Sequence, residues 1–306
     1  METKKNKAIS ATWPALLIIL QSLLYGFGDP ISKIAYEVTP VYTLLVIRYS
    51  LAFILLALFF RQRILNTVRT VPLKVWLVPG LCIGMAYLVG NVALSLSAAT
   101  SIAFVRSLSV VLTPALAFIF YRTHFRWQHI VIQITAVFGL YLLCAKGGLS
   151  GFGLGEALTL CDATLRAAAL VFSLRSLDDV DPVSLTALQA GCSSVLAIIA
   201  CLIFEGGPSI GSVTPLAWLI ILYLAITCTL LGYLLQNLAL TRISDRAVAL
   251  LQSTAPVMTA FFSFILLGER LSTAGIIGSA IIILCIVASS LLPSDLNRAT
   301  ENVRQD

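Results

Sequence analysis

The chain has 306 residues, 59% of them hydrophobic and 11% charged, with a mean hydropathy of +0.97 and a formal net charge of +6. Soluble domains carry about 25% charged residues. A water-exposed surface is therefore excluded, and the composition implies an all-α membrane protein that crosses the bilayer many times. The basic residues lie between apolar runs and are not gathered on one module, which excludes a nucleic-acid interface.

Ten transmembrane helices are expected, at 11–31, 38–60, 75–96, 99–120, 127–146, 153–174, 182–204, 216–239, 247–267 and 271–291. Runs of this length cross about 30 Å of hydrocarbon at about 1.5 Å per residue. The basic start, METKKNKAIS, leads into an apolar run too long for a signal peptide and without a small-residue cleavage site, so a retained first helix is expected.

Polar and ionisable residues at membrane depth carry the information, because each is costly unless paired or wetted. The first span ends with Asp29, Pro30 and Lys33, the charged pair four apart and able to meet as an interfacial pair. The second holds Arg48 and the fourth Arg106, neither with a local acidic partner, so each must reach another helix, a carbonyl or a ligand. Tyr87 and Asn91 lie in the third span, and Pro114 in the fourth.

The sixth span is richest, with Glu156, Asp162 and Arg166. Asp162 and Arg166 are either an internal ion pair that holds helices together or part of a site. Glu156 either faces water or carries a proton. Gln133, Gln189, Tyr233, Gln236, Asn237 and Gln252 add amides and hydroxyls suited to a polar solute, although such groups also serve as interhelical glue.

The ninth span contains Pro256, which interrupts the helical ladder. It joins the tenth through a short loop of Gly268, Glu269 and Arg270.

Other features are assigned ordinary roles. The seven cysteines are scattered without a CxxC pair and read as small buried hydrophobes. Trp13, Trp76, Trp127 and Trp218 sit near span ends, as an interfacial belt does. The glycine run starting at Gly151 precedes a span, follows no soluble strand and lacks a phosphate lysine. With no GxSxG or HExxH and only His124 and His129, no enzyme, metal site or cofactor is expected.

With the N-terminus in the cytoplasm, fourteen lysines and arginines fall in internal loops, including Lys4, Lys5, Lys7, Arg61, Arg63, Arg126, Arg242 and Arg246; three, Lys33, Lys146 and Arg270, fall outside. That bias places both termini inside. The stretch 100–143 echoes 244–290, with Pro114 set over Pro256. The chain therefore reads as two five-helix halves, 1–146 and 147–306, and an odd number of crossings makes them inverted repeats. Such halves can exchange conformations around one central site.

The second half resembles the EamA domain of the drug/metabolite transporter superfamily. The residues that carry this are Thr241-Arg242-Ile243-Ser244, the run 247–251, Pro256, and Gly268-Glu269-Arg270-Leu271 followed by Gly278. The first half matches more loosely through Asp29–Lys33, Arg48, Pro114 and Gly139, with His124-Phe125-Arg126 where the family often has glycine and glutamate.

The resemblance implies a ten-helix inverted-repeat transporter, usually an exporter of amino acids or related metabolites, driven by protons or by the solute's own gradient. Its central cavity would be lined chiefly by helices one, three, four, six, eight and nine. A multi-pass protein of the bacterial inner membrane is then expected, acting as a monomer among lipids with a small-molecule substrate and protons as a candidate coupling ion. Asp29, Arg48, Tyr87, Asn91, Arg106, Glu156, Asp162, Arg166, Gln236 and Gln252 are the candidate substrate or coupling residues; Pro114, Pro256, Gly268 and Glu269 are candidate structural ones. Import or antiport of anionic solutes, and a non-transporting scaffold, remain as alternatives.

Overall fold

A computed structural model describes residues 2–122, 127–144, 153–241, 252 and 254–291, and no strand occurs among them. The helices are α1 (Glu2–Tyr36), α2 (Val41–Thr70), α3 (Leu73–Leu96), α4 (Ala99–Tyr121), α5 (Trp127–Cys144), α6 (Leu154–Ser176), α7 (Pro182–Phe204), α8 (Pro215–Leu240), α9 (Ala255–Leu267) and α10 (Thr273–Leu291). Six of them, α2, α3, α4, α6, α7 and α8, are long and apolar enough to cross a membrane. The protein is a multi-pass helical bundle. Helix is one of the two forms that hydrocarbon permits, because it satisfies every backbone N–H and C=O within the segment.

Several sequence features fall outside the described residues: the turn at 124–126, Lys146, the division at 146/147, Gly151, Arg242, Arg246 and the run 247–251. The side chains of Lys4, Lys5, Lys7, Trp13 and Cys144 do so too.

Large apolar side chains point outward as well as inward. Leu58, Phe59, Ile119, Phe204 and Leu284 are exposed on the bundle's surface, where lipid would cover them. One interior cluster joins α1, α2, α3, α7 and α8 through residues such as Leu45, Tyr49 and Ile221; a second joins α4, α5 and α10 through Val105, Leu140 and Ile282. Gly139 of α5 lies directly against Gly278 of α10, the close backbone approach that small residues allow.

Three helices depart from regular geometry. In α2 the break is at Phe60 (φ −123°, ψ 21°), next to Arg61. In α4 it is at Leu108, which separates Ala99–Ser107 from Ser109–Tyr121. Pro114 itself stays helical: Gln133 of α5 donates to the Val111 carbonyl at 3.3 Å, beside the carbonyl that the proline leaves free. In α8 the segment Leu224–Leu231 is a π-helix, a form that clusters at functional sites. Pro256 occupies the first turn of described α9, where a missing N–H costs little.

Two carboxylates close one end of the bundle. Helices α2 and α4 begin after Pro40 and Ala98, neither of which supplies a side-chain cap for the unpaired N–H groups of a helix start. Glu205, just past α7, accepts from the Tyr42 and Thr43 amides at 2.7 Å each. Glu269, just past α9, accepts from the Ala99 amide at 2.8 Å and the Thr100 amide at 2.9 Å. Gly268 places Glu269 by adopting a left-handed conformation (φ 65°, ψ 17°) that costs a side-chain-bearing residue more.

Lys33 does not pair with Asp29, as their spacing suggested. It reaches Glu269 at 3.4 Å and donates to the Ser97 carbonyl at 2.6 Å. The helix periodicity put Asp29 and Lys33 on one face, but stronger partners stand on neighbouring helices.

Burial alone would push the Glu269 carboxyl up; the Thr100 and Ala99 hydrogen bonds and the Lys33 ammonium outweigh it and hold the group below its ordinary value of 4.5. The stability it contributes is therefore complete above that pH and is lost as pH falls through the depressed folded value. Glu269→Gln is expected to lower stability by about 0.5–2 kcal/mol at neutral pH, the size of a lost helix cap. In thermal unfolding followed against pH, variant and wild type should converge at the acid end.

Candidate functional site

Where the two interior clusters meet, polar side chains surround a cavity of about 160 Å³. A cavity of about 150 Å³ admits a molecule the size of benzene, so the space suits a small metabolite. Its wall draws Gln21 and Asp29 from α1, Arg48 from α2, Tyr87 and Asn91 from α3, and Arg106 from α4. Arg166 of α6, Gln189 of α7, Gln236 of α8 and the residues Gln252 and Pro256 complete it.

An alternating chain of charge crosses this wall. Arg106 Nη1 donates to both Asp29 oxygens, at 2.9 and 2.8 Å, while its Nε donates to Asp162 Oδ2 at 3.0 Å. Arg166 Nε donates to Asp162 Oδ1 at 2.6 Å, and its guanidinium lies 4.3 Å from the centre of the Tyr87 ring. Asp162 is wholly buried, so its charge is held by two arginines at once. Four groups on α1, α4 and α6 form one neutral unit. Gly90 makes room for it: a β-carbon there would stand 2.5 Å from Asp162 Oδ2.

Arg48 stands apart. It is 5% exposed, and its Nε donates to Thr229 Oγ1 at 2.9 Å. Thr229 belongs to the π-helical stretch and itself donates to the Leu224 carbonyl five residues back. The wider helical turn thus sets the hydroxyl that receives Arg48.

Amides fill the rest of the wall. Gln21 Nε2 donates to Gln236 Oε1 at 3.0 Å, and Gln252 Nε2 donates to Gln21 and Gln236 at 3.3 Å each. Asn91 is engaged by the Tyr36 hydroxyl at 2.6 Å and donates to the Tyr87 carbonyl at 2.7 Å, so it braces α1 against α3.

The candidate residues are thus divided. Asp29, Arg48, Tyr87, Asn91, Arg106, Arg166, Gln236 and Gln252 line the cavity, and Asp162 sits behind it. Glu156 does not join them: it is buried at the start of α6 and accepts from the Gly153 amide at 3.0 Å. Pro114, Gly268 and Glu269 also lie off the lining, whereas Pro256 is on it. Gln21, Tyr36, Thr229 and Glu205 were missed. Gln21 carried the usable signal, an amide inside an apolar run; Thr229 and Glu205 matter only through neighbours far away in sequence.

The sequence model of the EamA-like transporter family matches two consecutive segments, residues 12–145 and 153–291. The chain belongs to the EamA-like transporter family.

Two proteins of Archaeoglobus fulgidus, each described as an uncharacterized transporter, are similar to this EamA-like transporter. One is 26% identical over 292 residues, covering 93% of this chain and 88% of the relative; the other is 28% identical over 136 residues, covering 43% and 47%. A solved crystal structure superposes with a TM-score of 0.66 at 18% identity, covering 90% of this chain and 96% of the other, a likeness of fold. Among the described residues no group of three or more His, Cys, Asp or Glu could hold a metal. The family is one of transporters.

Breaking a buried ion pair from one side costs about 3–5 kcal/mol because a charge is left without its partner. Asp162→Asn in this EamA-like transporter is expected to lower the unfolding midpoint of purified protein in detergent more than Asp29→Asn does, since Asp29 bridges one arginine and Asp162 two. Gly90→Ala should reproduce part of the Asp162→Asn loss by crowding that carboxylate.

Proposed function

We propose that this EamA-like transporter is a secondary carrier that exports small polar metabolites, with amino acids or related zwitterions as the leading class, by alternating access. The observation that carries the reading is the ion-bridged cavity, whose wall holds both signs of charge and several amides contributed by both matched segments. Arg106 and Arg48 offer cationic contacts to the solute. Asp29 takes up an amine or titrates with a proton. Gln236, Gln252 and Tyr87 orient the solute.

Alternating access is supported by where the ties lie. Glu205 and Glu269 fasten helix starts at one end of the bundle, and a carrier needs such ties to be made in one state and released in the other. The reading takes the chain as ten crossings in two inverted halves, 1–146 and 147–306, acting as a monomer with both termini in the cytoplasm. The two consecutive family matches and the excess of lysine and arginine in alternate loops support it. The similar proteins are archaeal, so the membrane meant is the cytoplasmic membrane of a prokaryote, with the bacterial inner membrane one case.

A second reading, import or antiport of anionic metabolites, is favoured by Arg48, which has no carboxylate within ion-pairing distance among the described residues. The scaffold alternative needs Arg106 and Asp162 in a dry helix interface, and Arg106 on a polar cavity wall speaks against it.

Counterflow in proteoliposomes tests the carrier. Amino acids, quaternary amines, sugar phosphates and nucleosides are loaded in turn, and uptake of the matching labelled solute is followed with and without a pH gradient. Saturable exchange of one class is expected, reduced at least about tenfold in Arg106→Ala. Folded wild-type protein that exchanges none of the four classes would count against the reading.

A further inference from the structure

We infer that Arg48 forms an anion subsite in the cavity wall that receives the carboxylate of the carried solute. This rests on the carrier reading and narrows its substrate class.

The inference starts from which charges are already used. Around the cavity, Asp29, Arg106, Asp162 and Arg166 balance one another through three ion pairs. Arg48 is a fifth ionised group, and it has no carboxylate within ion-pairing distance among the described residues. It is 5% exposed and lines the cavity, so bulk water does not screen it. A buried cation of this kind is unfavourable unless a counter-charge arrives. Among the described residues, then, the wall of the free protein carries one positive charge in excess.

The geometry fits an anion that comes and goes. Among the described residues only Nε of Arg48 is hydrogen-bonded, to Thr229 Oγ1, which orients the guanidinium. The Tyr49 ring lies 5.3 Å from its carbon and supports it from α2 itself. The two terminal nitrogens have no hydrogen-bond partner among the described residues. They form the edge of the fork that matches the two oxygens of a carboxylate.

One guanidinium balances one carboxylate. A phosphate dianion would need a second free cation, and the remaining arginines on this wall are already paired. Among the described residues Asp29 is the one carboxylate on the cavity wall, and it is shared with Arg106. A zwitterion can place its carboxylate at Arg48 and its ammonium near Asp29. A simple carboxylate can use the first contact alone.

The test is binding, read separately from transport. Purified wild-type protein is heated with each proteinogenic amino acid, each corresponding C-terminal amide, and straight-chain carboxylates from acetate to hexanoate, while unfolding is followed by intrinsic fluorescence. At least one carboxylate-bearing compound is expected to raise the midpoint, and its amide is expected not to. In Arg48→Gln the concentration needed should rise about ten- to hundredfold, with part of the loss recovered in Arg48→Lys.

Amides that act as well as their acids, an Arg48→Gln variant with unchanged concentration dependence, or no response to any compound would each overturn the subsite. If Arg48→Gln does not fold, the acid–amide comparison on wild-type protein decides alone. The two readings fail separately. Counterflow of a carboxylate-free solute that survives Arg48→Gln would remove the subsite and leave the carrier. Acid-selective binding with no exchange by folded protein would remove the carrier and leave the subsite.

Discussion

The buried carboxylate of Asp162 is the constraint on which the centre of this protein depends. In water a lone aspartate is unremarkable, but in a membrane interior its charge must be met by fixed partners. It is met twice, by Arg106 from α4 and by Arg166 from one turn further along α6. Arg106 then has a hydrogen-bonding edge left over, and Asp29 of α1 takes it. Three helices are thereby held at fixed distance around a space that none of them fills. The glycine at position 90 is part of the same arrangement, because α3 must approach that carboxylate without a β-carbon.

Farther along the bundle the same physics works through backbone groups. A helix start leaves N–H groups without acceptors, and α2 and α4 begin on residues that cannot cap them. Glu205 and Glu269 supply the missing acceptors from the ends of α7 and α9. Each carboxylate thus ties together helices separated by long stretches of sequence. Lys33 joins the second tie and brings α1 with it. These ties are electrostatic and local.

The cavity is asymmetric in charge, and that asymmetry has a structural cause. Arg106 and Arg166 are bound by carboxylates, whereas Arg48 is bound by a hydroxyl presented by an irregular turn of α8. A neutral hydroxyl orients a guanidinium without cancelling its charge. The π-helical stretch thus orients Arg48 through a neutral group, while the four other charges pair with one another.

Much of this was legible in the sequence. Apolar runs of bilayer length declared a multi-pass helical protein, because composition and hydropathy act locally. The family resemblance rested on short motifs that survive in one dimension, such as Gly268-Glu269-Arg270. Charged residues inside apolar runs marked Arg106, Asp162 and Arg48, because burying a charge is costly wherever it occurs. What sequence could not decide was the partner of each charge. Spacing offered Lys33 to Asp29, yet tertiary packing brought Arg106 to Asp29 and Glu269 to Lys33. Glu156 looked like a site residue and became a helix cap, while Gln21 and Thr229 looked ordinary and became part of the wall or its support. Identity and depth in the membrane are properties of a stretch of chain. Pairing depends on which helices meet and at what rotation, and only the folded bundle fixes that.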